Sequence, residues 1–79
     1  MKVNECVKAG EYLQKSLEIR QKLGDKEGEA SCFGKLGKVF RIRGEYVKAK
    51  EYIQKALVIT KEIGDRSGEA ANYINLGTT

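Results

Sequence analysis

The feature that most constrains this chain is that it repeats itself. Glu11-Tyr12-Leu13-Gln14-Lys15-Ser16-Leu17 returns 40 positions later as Glu51-Tyr52-Ile53-Gln54-Lys55-Ala56-Leu57. Gly24-Asp25-Lys26-Glu27-Gly28-Glu29-Ala30 returns at the same offset as Gly64-Asp65-Arg66-Ser67-Gly68-Glu69-Ala70, and Leu36-Gly37 as Leu76-Gly77. A fixed period of this size marks stacked supersecondary units, none of which can bury its apolar face alone.

Two helical patterns fill one period. From about 26 to 43, Ala30, Phe33, Leu36, Gly37 and Phe40 advance in steps of three and four, one face of a helix. Asp25 stands where an N-cap belongs, and Gly44 can take the positive φ that ends a helix. From about 45 to 63, Tyr46, Ala49, Ile53, Ala56, Leu57, Thr60 and Ile63 mark a second buried face, and Glu51 and Lys55 form an i,i+4 pair. Extending both ways adds a helix over about 5–22, with Ala9, Leu13, Ser16 and Leu17 inward. A fourth follows over about 66–77, with Ala70, Tyr73, Leu76 and Gly77 inward. Connections of three or four residues require antiparallel neighbours. Gly37 inside a helix costs about 1 kcal/mol of propensity against Ala. That cost is explained if a neighbouring helix touches its backbone.

Composition narrows the function. The 79 residues hold no His and no Pro, two Cys, and a net charge of +4. Without His the usual general base, proton shuttle and commonest metal ligand are missing, and Cys6 and Cys32 cannot make a four-ligand site. No stretch approaches the roughly 18 apolar residues that span a bilayer. Met1-Lys2-Val3-Asn4 opens no signal-peptide core, so a cytoplasmic chain with reduced cysteines is expected. No catalytic, metal or cofactor site is expected. Asp25 and Asp65 read as helix caps rather than bases. Gly24, Gly28, Gly64 and Gly68 lack the phosphate-loop spacing and follow a helix, not a strand. Cys6 reads as a residue at the core edge and Cys32 as one beside the buried stripe, neither with a cationic cluster to activate it.

Phe33-x-x-Leu36-Gly37-x-x-Phe40, then Ala49-x-x-x-Ile53 and Ala56, resembles the tetratricopeptide repeat pattern. Two departures stand out: Lys61 occupies the place of a frequent Pro, and the period is 40 rather than 34. The longer period and the Gly-Asp step resemble the repeats of G-protein-signalling-modulator (LGN/Pins-type) adaptors. The resemblance implies an all-α segment of four helices, antiparallel pairs stacked as a right-handed superhelical solenoid. Residues 1–23 would be the second helix of a repeat, 24–63 a full repeat, and 64–79 the first helix of the next. It also implies a concave groove, lined by first helices, that holds extended or helical peptides.

On helix 26–43 the face opposite the core carries Ser31, Lys35, Lys38 and Ile42, flanked by Gly34 and Arg41. On the last helix the same line is Ala71, Asn75 and Thr78, with Asn72 nearby. The family's clamp for a C-terminal carboxylate is not reproduced, because Gly34 stands where a clamp Lys would be. The expected function is therefore a scaffold or adaptor module whose Lys35, Lys38, Arg41 and Asn75 hold acidic or amphipathic peptide segments. Two rivals are a structural spacer that self-associates through open helix ends and, less favoured, nonspecific nucleic-acid binding by the basic groove. Charges alternate along Lys8, Glu11, Lys15, Glu18 and Lys22, with no basic run and no exposed aromatic stripe for base stacking. No membrane role is expected, because the apolar faces are needed for the core.

Overall fold

In a computed structural model describing residues 3–78, and side chains from Glu5, the chain forms four helices. They are α1 (Val3–Leu23), α2 (Lys26–Ile42), α3 (Tyr46–Glu62) and α4 (Arg66–Gly77). Met1, Lys2 and Thr79, the outermost residues of the expected first and last units, lie outside the described residues. All four helices match the sequence pattern to within two residues.

Each turn is built by the same device. Gly24, Gly44 and Gly64 have φ of 69°, 80° and 70°, which an L side chain resists. The residue after each glycine donates its N–H back into the helix just ended: Asp25 to the Arg20 carbonyl, Glu45 to Phe40 and Asp65 to Thr60, each at 2.9 Å. In two of the turns that residue also caps the next helix. Asp25 accepts from the Gly28 N–H at 2.9 Å, and Asp65 from the Gly68 N–H at 3.0 Å. A Cβ on Gly28 or Gly68 would collide with the capping carboxylate, so the spacing Gly-Asp-x-x-Gly is a capping motif. The Gly28 bond, reinforced by Arg20 at 2.8 Å, holds the Asp25 carboxyl below its ordinary value of 3.8. Glu45 makes no such cap, and its carboxylate faces Arg43 at 3.1 Å and Lys48 at 3.7 Å.

Packing is consecutive: α1 on α2, α2 on α3, α3 on α4, with α2 and α4 also touching. The helices alternate in direction. Cys32 of α2 lies 3.5 Å from Ser16 of α1, and Asn72 of α4 lies 3.5 Å from Thr60 of α3. Thus α1 and α3 form one layer, α2 and α4 the other. Leu17, Ala30, Cys32, Phe33, Leu36, Ala56 and Ile59 form the core cluster, edged by Leu13, Phe40 and Tyr52. Gly37 lets α3 approach as its spacing requires. A Cβ there would overlap Ile53 and lie 3.2 Å from the Ala49 carbonyl oxygen. Tyr52 stacks on Phe40 at 5.2 Å, tilts against Phe33 at 6.0 Å, and accepts from Gln14 at 3.3 Å.

Several expected core positions are not buried. Tyr46, Ile63, Ala70, Tyr73 and Gly77 are exposed, and Ala9, Leu13 and Ser16 are only half-buried. The periodicity marks an apolar face and not how fully it is covered: Leu13 only edges the core cluster, Ser16 meets Cys32 of α2, and the Tyr73 ring meets the Lys61 ammonium of α3. Cys6 departs the other way: it is almost wholly buried rather than at an edge. The Glu51–Lys55 pair does not form, because the Lys55 ammonium lies over the Tyr52 and Phe33 rings at 5.1 and 5.8 Å.

Candidate functional site

Parallel α2 and α4, held apart by α3 behind them, leave an open cleft of about 340 Å³ between their outer faces. The α2 wall is Glu27, Ala30, Ser31, Gly34, Lys35 and Lys38. The α4 wall is Gly68, Ala71, Asn72 and Asn75, with Thr60 and Asp65 at its base. Spacing of three and four along α2 dictates this wall, since such residues share one helix face.

Of the nine residues singled out from sequence, Ser31, Gly34, Lys35, Lys38, Asn72 and Asn75 line this cleft. Their settings differ. Ser31, Lys35 and Lys38 are exposed, and neither lysine has an ion-pair or hydrogen-bond partner among the described residues. Gly34 is half-buried, and a Cβ on it would lie 3.4 Å from the Asn72 amide oxygen. A larger residue there would press on the opposite wall. Asn72 is buried, and its amide donates to the Thr60 hydroxyl at 3.5 Å, which in turn donates to the Leu57 carbonyl at 2.9 Å. Asn72 thus belongs to the cleft floor.

The other three stand beyond the lining. Arg41 donates to the Thr78 hydroxyl at 2.6 Å, and that hydroxyl donates to the Asn75 carbonyl at 3.0 Å. This bridge ties the C-terminal ends of α2 and α4 together and commits the Arg41 guanidinium. Ile42 is exposed at the end of α2, outside the cleft.

Glu27, Asp65 and Thr60 were not among the sequence candidates. Glu27 was legible: it lies four residues before Ser31, on the line already drawn through Lys35 and Lys38. Thr60 and Asp65 come from α3 and its turn and join only through packing. With them the cleft gains an electrostatic direction. Glu27 and Asp65 stand at the N-terminal ends of α2 and α4, and Lys35 and Lys38 lie further along.

Among the described residues no group of three or more His, Cys, Asp or Glu side chains could hold a metal ion. Cys6 and Cys32 are free thiols buried in the packing. Among the described residues no helix is long and apolar enough to cross a membrane.

Comparison with curated proteins and with solved structures gives no match. A family model does match: that of the tetratricopeptide repeat, over residues 4–62, which takes in most of α1 and all of α2 and α3. Such repeats generally serve as scaffolds for protein–protein interaction, typically without enzymatic activity. Four antiparallel helices, a 40-residue period and this match agree: the chain belongs to the tetratricopeptide repeat family.

Proposed function

We propose that the α2–α4 cleft binds an extended peptide segment whose acidic residues lie against Lys35 and Lys38, and that the chain acts as an adaptor in the cytoplasm. The observation that carries this reading is the pair of exposed, unpartnered ammonium groups on the wall of an open cleft. Other exposed cations, such as Lys8, Lys15, Lys22 and Lys50, stand outside the cleft, and several of the rest are engaged. Arg20, Lys26, Arg43 and Lys48 make ion pairs, Arg41 holds Thr78, and Lys55 and Lys61 lie on aromatic rings. The Gly-Asp step and long period, which resemble G-protein-signalling-modulator repeats, support the adaptor role.

From Glu27 to Lys38 the α2 wall runs about 16 Å at 1.5 Å per residue. That accommodates roughly five residues of extended chain at about 3.3 Å each. Lys35 and Lys38 supply charge-assisted donors to carboxylates, and Ser31 supplies a hydroxyl. Glu27 and Asp65 repel an anion at the other end, so the preferred segment is acidic at one end only. The same two carboxylates oppose a continuous phosphate backbone. One cleft of this size is far below a standard interface, and affinity should be roughly micromolar or weaker. Further repeats along the same surface would add avidity.

Fluorescence anisotropy against short peptides tests the reading. A peptide with two Glu at one end should bind. Lys35→Glu/Lys38→Glu should weaken it at least about tenfold, the loss expected for charge-assisted contacts of this kind. The same peptide with two Lys should bind the parent poorly and the variant better. Equal binding of both peptides by both chains would sink the proposal.

A further inference from the structure

Two apolar faces of the molecule are unpartnered, one at each end of the helix row. On α1 it includes Tyr12 and Ile19, 70% and 58% exposed. On α4 it includes Tyr73, 49% exposed, with Ala70 and Gly77 also exposed and Leu76 half-covered. Patches of this kind are sites of association.

The internal repeat says what fits them. Forty positions on, Tyr12 and Ile19 become Tyr52 and Ile59; forty positions back, Tyr73 and Gly77 become Phe33 and Gly37. Those residues are the two sides of the interface between α3 and α2. Tyr52 tilts on Phe33, Ile59 joins its cluster, Ile53 covers Gly37, and Lys55 lies over the Phe33 ring. The α1 face therefore has the side-chain set of α3, and the α4 face has that of α2. Neither has its complement within the chain, and each complement lies at the other end of an identical chain.

We propose that copies of this chain associate head to tail, α1 of one copy packing on α4 of the next as α3 packs on α2. The incoming α1 takes the next place in the α1–α3 layer, so the new contact continues an interface already present. Its pairs follow from the offset. Tyr12 meets Tyr73, whose ring already carries the Lys61 ammonium of its own chain at 5.5 Å, and Leu13 covers the open backbone at Gly77. Gln54 donates to the Tyr12 hydroxyl, as Gln14 does to Tyr52. The contact is heterologous: each added copy leaves an α4 face open, so assembly does not close on itself. The groove reading can fail without touching this one, since the faces lie apart from the cleft.

Sedimentation velocity of the 79-residue chain, from low micromolar to near-millimolar concentration, provides the test. The mean mass should rise with concentration past that of a dimer. Tyr12→Lys and Tyr73→Lys each spoil one face at an exposed position; circular dichroism should show both folded as the parent is. Each variant alone should remain a monomer. Mixed, they should give a dimer that grows no further, because Tyr12→Lys keeps an intact α4 face and Tyr73→Lys an intact α1 face. A parent chain monomeric throughout would overturn the proposal and leave both faces to a further helix pair in a longer chain. Dimers of Tyr12→Lys alone would also overturn it, in favour of an α4–α4 contact. So would a mixture of the two folded variants that stays monomeric.

Discussion

Helices α2 and α4 occupy equivalent positions in the 40-residue repeat, yet they finish in different environments. Ala30 is buried and Ala70 exposed; Phe33 is 8% accessible and Tyr73 49%; Leu36 is fully covered and Leu76 partly open. A Cβ on Gly37 would run into α3, whereas one on Gly77 would meet nothing within 4 Å. Both helices present the same apolar stripe. The difference is that α2 is packed between α1 and α3, whereas α4 packs on α3 and only touches α2. Burial here is conferred by the neighbour, and the stripe only makes a helix eligible for it.

Substitutions at paired positions should turn that contrast into numbers. Gly37→Leu should cost about 3 kcal/mol or more, from overpacking against Ile53 and the Ala49 carbonyl, and leave no cooperative thermal transition. Gly77→Leu should melt like the parent. A cooperative, parent-like melt for Gly37→Leu would break the comparison at its strongest point. Next, Phe33→Ala should cost about 3–5 kcal/mol, as core aromatic truncations do, and Tyr73→Ala about 0.5 kcal/mol or less. Denaturant titrations of the two would measure the gap.

A smaller effect separates the turns. Asp65→Ala should lose a cap worth about 1 kcal/mol, while Glu45→Ala, which removes no cap bond, should lose less. Asp25 adds a pH dependence. Its carboxyl is held below 3.8 when folded, by the Gly28 N–H first and by Arg20 with it. Its stabilising contribution is thus complete above about pH 4 and lost as pH falls through the lowered value. The stability difference between the parent and Asp25→Ala should shrink on acidification across that range. A difference that stays constant down to pH about 2 would mean that the charge of Asp25 plays no part.

The repeat and its glycines made most of the fold readable. Gly37, set within the apolar stripe of α2, pointed to a close helix contact, and Gly24, Gly44 and Gly64 pointed to the turns. Tyr46, Ile63 and Tyr73 could not be placed the same way, since periodicity reports a face and not what covers it. Lys55 had two candidate partners, Glu51 on its own helix and the Phe33 and Tyr52 rings, and only the α2–α3 packing decides between them. For the cleft, the α2 wall followed from spacing along one helix. Thr60 and Asp65 enter from another element. The Arg41–Thr78 bridge joins residues 37 apart in sequence, which no local pattern encodes.

The shared turn residue has a last consequence. Asp25 and Asp65 are each fastened by their N–H to one helix and by their carboxylate to the next, so neither joint has slack. The Asp65 joint seats α4 on α3, and the Arg41–Thr78 hydrogen bond ties α4 back to α2, so the separation of α2 and α4 is set before any ligand arrives. A peptide docking between them meets preorganised walls and spends little of its binding free energy on shaping the site. Ligands that differ in fit should accordingly enter at similar rates and be told apart by how long they stay.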